Sequence, residues 1–86
     1  MIASKSNRVP AVRQALQVLR FLGGTEAPVG VSIVARETGL SPSTCFNLLR
    51  TLAEEDIVAF DPVSKTYQLG FGLLEIASPL GNKDDT

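Results

Sequence analysis

The sequence predicts a mainly α chain with one small β-hairpin: a three-helix core, two short strands and a final helix. Three observations carry this expectation. Apolar residues recur at three- and four-residue steps in residues 10–22 and again in residues 42–54, the spacing of one helix face. Two runs rich in β-branched and aromatic residues, 57–60 and 66–69, flank Asp61-Pro62-Val63-Ser64-Lys65, a stretch with turn chemistry. A chain of 86 residues buries only roughly 60 to 65% of the surface its unfolded form exposes, which supports one core and not two.

The first helix opens near Pro10, whose missing N–H is harmless in a first turn, and stops at Gly23-Gly24. Its expected core stripe is Val12, Ala15, Leu16, Leu19 and Leu22. Residues 25–30, with Pro28 and Gly30, read as a loop. The second helix starts at Ser32, a plausible N-cap, runs to Thr38, and ends at Gly39 in a left-handed conformation. After Leu40, Ser41 caps a third helix that Pro42 begins, with Cys45, Leu48, Leu49 and Leu52 as its buried stripe. Asp56 sits where the chain turns into the hairpin, for which a five-residue loop at 61–65 is expected. Gly70 breaks the second strand, and a last helix over about 71–77 should end before Pro79. Two helices joined by a turn of about four residues and followed by a hairpin are the order of a winged helix-turn-helix. Residues 1–8 read as a flexible arm, 9–78 as the folded domain, and 79–86 as a disordered tail.

Composition closes several other routes. The single Cys45 and the absence of histidine leave no disulfide within the chain, no zinc site and no Ser-His-Asp or Cys-His nucleophile, so no enzyme and no cofactor are expected. Cys45 itself reads as a core thiol. No targeting segment and no membrane-length apolar run are visible, and the expected compartment is the cytoplasm. Net charge is −1, but residues 1–50 hold six basic against two acidic side chains, whereas residues 51–86 hold two against seven. One half is suited to face phosphate while the other faces away.

The third helix carries the functional expectation. With its stripe buried, its outward set is Ser43, Phe46, Asn47, Arg50 and Glu54, flanked by Thr44 and Thr51. Asn pairs with adenine, Arg with guanine or phosphate, Ser and Thr with phosphate, and an exposed ring packs on a thymine methyl. Any solvated helix also shows Ser, Asn and Arg. Phe46 separates the two readings, because an exposed phenyl on a small domain marks a contact or a buried position. Ser41 at the helix start and Lys65 near the hairpin tip complete the candidate DNA contacts, and Lys65 reads equally well as a solvated turn residue.

The first helix is apolar over a wide arc that takes in Ala11, Val18 and Phe21 beyond the expected stripe. Such an arc wants a second neighbour, either the last helix or a second copy of the chain. A domain this small favours the second copy, with Gln14, Val18 and Phe21 at the contact.

In order and spacing these segments resemble the N-terminal domain of IclR-type regulators. The resemblance is carried by Val12 through Leu19, Ile33 through Leu40, Ser43 through Leu52 and Tyr67-Gln68-Leu69-Gly70. It implies a dimer of winged domains on a palindromic duplex operator, the full-length protein being a homodimer or higher homo-oligomer, with the helix at about Pro42–Glu54 in the major groove. It also implies a following domain, outside this chain, that binds a small organic effector. Two positions depart from the family pattern: Asn47 stands where arginine is usual, and Asp56 where glycine is usual. A winged domain that binds a protein instead of DNA is the competing expectation, mildly favoured by the net acidity.

Overall fold

A computed structural model of the chain describes residues 8–84. The expected arm, apart from Arg8, and residues 85–86 of the expected tail lie outside the described residues. The elements run α1 (Pro10–Gly23), α2 (Val31–Thr38), α3 (Pro42–Glu54), β1 (Val58–Asp61), β2 (Thr66–Leu69) and α4 (Gly72–Asp84). This is the winged helix-turn-helix order: three packed helices, then a two-stranded antiparallel wing, then a further helix.

The core lies where α1, α2 and α3 meet the inner face of the wing. Val18 and Leu22 of α1, Val34 and Ala35 of α2, Cys45 and Leu49 of α3, Val58 of β1 and Tyr67 of β2 are buried together. For α3 the expected stripe is the observed one, with Cys45 and Leu49 fully covered and Leu48 and Leu52 partly so. For α1 the helix is rolled relative to expectation. Val12 and Leu16, placed inside by the sequence reading, are 55% and 42% exposed, whereas Val18 is 0% exposed. The α1 arc was broad enough to bury either side, and α2, α3 and β2 all pack on the Val18 side.

Each boundary has a local cause. Gly39 adopts φ +79 and closes α2, donating its N–H to the Ala35 carbonyl at 2.9 Å. The α2 N-cap is Gly30 rather than Ser32, because the Gly30 carbonyl already accepts the Val34 N–H at 3.2 Å. The hairpin pairs Val58 with Leu69, Ala59 with Gln68, Phe60 with Tyr67 and Asp61 with Thr66. Asp61 therefore belongs to β1 and Ile57 does not, which shortens the loop to residues 62–65. The loop is held by Asp61, whose carboxylate accepts the Val63 N–H at 2.9 Å and whose carbonyl accepts the Lys65 N–H at 2.7 Å. The loop before α2 is also tied down, since Val29 and Tyr67 exchange both backbone hydrogen bonds, at 3.1 and 2.8 Å.

The wing's exit is latched to its entrance. Asp56 takes φ 63, its carbonyl accepts the Gly72 N–H at 2.8 Å, and Ile57 accepts from Gly70 at 2.8 Å. A Cβ at either glycine would lie 2.6 Å from the Asp56 carbonyl oxygen, so only glycine allows this approach. Beyond the latch, α4 continues through Pro79 to Asp84, past the expected stop ahead of the proline. Residues 74–79 are all exposed, so the Glu75 carbonyl, which loses its partner to the proline, lies on a stretch open to solvent.

Candidate nucleic-acid interface

The face of α3 is oriented from its first residue. Ser41 is extended at the N-cap and its Oγ accepts the Thr44 N–H at 3.1 Å, while Pro42 takes the first helical position. The Ser41 hydroxyl donates in turn to Thr44 Oγ1 at 2.9 Å. Of the predicted contacts, Ser41 and Thr44 are thus engaged with each other in a cap, and Thr44 is half-buried. Ser43, Phe46, Asn47 and Arg50 are exposed, opposite Cys45 and Leu49. Burial pushes the Cys45 thiol above its ordinary range, so it stays a neutral core group.

Arg50 reaches outward with Glu54 one turn on, Nε to Oε2 3.8 Å, both side chains about two-thirds exposed or more. Such an exposed pair holds weakly, so the guanidinium remains transferable to a stronger anion. Lys65 is exposed at the wing tip in a left-handed conformation, φ 59. Three predicted side chains do not lie on an open face of α1. Val18 is sealed in the chain's own core, and Gln14 and Phe21 are half-buried, Phe21 against that core. The large apolar residues exposed at and just before α1 are its N-cap Val9 and, within the helix, Val12 and Leu16.

The structure adds residues that the sequence reading left out. Phe60 of β1 stacks on Tyr67 with ring centroids 4.8 Å apart, and both face Phe46, Arg50 and Ala53 of α3 across a cleft of ≈ 290 Å³. Burial raises the Tyr67 phenol above its ordinary range, with Cys45 adding to that rise and Arg50 opposing it. The signal available in the sequence was Phe60 itself, an aromatic residue in an edge strand.

Residues 11–62, from the start of α1 to just past β1, match the IclR helix-turn-helix domain. The chain belongs to the IclR helix-turn-helix family. This IclR-family domain is 36% identical over 73 residues to the glycerol operon regulatory protein of Streptomyces coelicolor, covering 85% of this chain and 29% of that protein. It superposes on the IclR family transcriptional regulator of Brucella abortus with a TM-score of 0.79 at 30% identity, over 91% of this chain and 30% of the other. Against the IclR transcriptional regulator of Alicyclobacillus acidocaldarius the TM-score is 0.78 at 35% identity, over 83% and 29%. The chain therefore spans less than a third of the length of these relatives. They are regulators of transcription and not enzymes, and this chain is a DNA-binding regulator domain of their family. Among the described residues no helix is long and apolar enough to cross a membrane.

Proposed function

We propose that the domain binds duplex DNA in a sequence-specific manner, with α3 in the major groove and the wing against the flanking backbone. The observation that carries this reading is the exposed row Ser43, Phe46, Asn47 and Arg50, held rigidly opposite a core stripe by the Ser41 cap. Asn47, one turn nearer the helix start than Arg50, is suited to a base edge, and its amide matches adenine. Arg50 and Lys65 suit phosphates, which fix position but carry no sequence information.

In this reading the full regulator works in the cytoplasm as a homodimer on a palindromic operator. A small organic effector acts through the part of the regulator outside this chain. The second copy is proposed against Val9, Val12 and Leu16, since an apolar strip of this kind at the start of a helix is well placed for an isologous contact. The exposed Phe46 also suits a protein partner, which remains the second reading.

The test is a binding selection over a randomised half-site with the parent and two variants, followed by titrations at rising salt. Asn47→Ala should cost about 1 to 3 kcal/mol on the preferred site and much less on random DNA. Arg50→Ala should weaken all sequences alike and flatten the salt dependence. An unchanged base preference in Asn47→Ala would remove Asn47 as a reader, and a parent indifferent to every duplex would remove DNA as the partner.

A further inference from the structure

The hairpin register puts Phe60 on the same face as Val58, Tyr67 and Leu69, the face that closes the core. Val58 and Tyr67 are covered by the helices, but Phe60 is one step further out and 42% exposed. Phe46 stands across from it on α3, 44% exposed. Two phenyl rings thus look into one open cleft, with Tyr67 behind Phe60 and the Arg50 guanidinium as the cation among the lining residues.

A small domain does not leave two facing rings in water without a cost in free energy, roughly 25 cal/mol for each Å² that an occupant would cover. The cleft is open to solvent and small, ≈ 290 Å³, with room for a group the size of one sugar ring. The occupant must offer an apolar ring face next to an anion, to satisfy both phenyls and Arg50. A deoxyribose and its phosphate have that chemistry, and the cleft adjoins the α3 face proposed to enter the groove.

Resting on the DNA reading above, we infer that the cleft between α3 and the wing clamps one deoxyribose-phosphate unit of the duplex backbone. Phe46 and Phe60 pack on the sugar, Tyr67 supports the Phe60 ring, and Arg50 leaves Glu54 to take the phosphate. Phe60 is the residue newly assigned. Its contact is apolar and sequence-independent, which gives it a signature different from both Asn47 and Arg50.

The experiment titrates the whole 86-residue chain with two labelled duplexes of different sequence across a range of salt. Phe60→Ala should weaken binding on the order of tenfold on both duplexes. The salt slope should stay that of the parent, because no phosphate contact is removed. Phe60→Leu, which keeps an apolar side chain against Tyr67, should restore most of the affinity. Thermal unfolding of each variant separates lost binding from lost fold. Independently, 4-fluorophenylalanine at Phe60 should give a ring signal that moves when either duplex is added to the otherwise unchanged chain.

A parent that binds while Phe60→Ala binds equally well, or while the fluorine signal stays fixed, overturns the clamp and leaves the DNA reading standing. A Phe60→Ala variant with an altered base preference overturns it too, since the ring would then be reading a base. A parent that binds no duplex at any salt overturns both.

Discussion

Helices α1 and α3 begin alike, each with proline at its first position, yet they relate to the core in different ways. In α3 the apolar stripe is narrow and the other side is polar apart from Phe46, so one orientation buries Cys45 and Leu49 and exposes Ser43, Phe46, Asn47 and Arg50. In α1 the apolar residues spread past the buried side to Val12 and Leu16, which stay exposed, and its N-cap Val9 makes no side-chain cap bond. The side with Val18 and Leu22 is the one that joins the core, where α1 meets α2, α3 and β2. A helix proposed to read DNA has to point its polar row outward reliably, whereas α1 has apolar surface in excess of what this core uses.

The largest effect that would break this contrast is in the core. Leu49→Ala should cost about 2 to 5 kcal/mol, because Leu49 is fully enclosed, while Leu16→Ala on the outer side of α1 should cost less than about 1 kcal/mol. Urea unfolding of the two variants checks both figures. A Leu16→Ala loss as large as that of Leu49→Ala would mean that α1 packs in the roll first expected from its sequence.

A smaller effect sharpens the account of α3. Ser41→Ala removes the acceptor of the Thr44 N–H and should destabilise by about 1 kcal/mol. Amide exchange should speed up at residues 43–45 in the same variant. Because the cap also sets the start of the α3 face, DNA affinity should fall alongside stability, and an unaffected affinity would show that α2 and the core alone hold the helix in place.

The smallest stability effect belongs to the outer strip of α1. Val12→Gln combined with Leu16→Gln should change unfolding free energy by about 0.5 kcal/mol or less, as exposed substitutions do. Sedimentation should nevertheless show weaker self-association than in the parent. If the parent is monomeric at high concentration, or the double variant associates equally well, the strip is not the contact between copies.

The helix-turn-helix and the wing differ in how far their part of the site follows from the sequence. The helix-turn-helix could be read from Gly39, Ser41-Pro42 and the heptad-like spacing of Cys45, Leu48, Leu49 and Leu52, since caps and periodicity act within a few residues. The outward row followed from the same spacing by geometry alone. Phe60 could be seen in the sequence as an aromatic residue in a strand, but its exposure beside α3 could not. That exposure depends on how far β1 runs past the cover of α3, a distance set by the register and by the Gly70 and Gly72 latch on Asp56.

By itself, then, the amino-acid order determined the sequence of elements, the cap and stripe of α3, the turn at Gly39 and the polar row that α3 presents. Each of these is a short-range matter of propensity, capping and 3.6-residue periodicity. Tertiary structure decided the roll of α1, the Val29–Tyr67 bridge, the passage of α4 through Pro79 and the placing of Phe46 and Phe60 on one cleft. Those depend on which of several nearly equivalent surfaces finds a partner from a distant part of the chain. Burial is non-directional, so an apolar arc states how much surface must be covered and leaves the covering element to the packing of the whole.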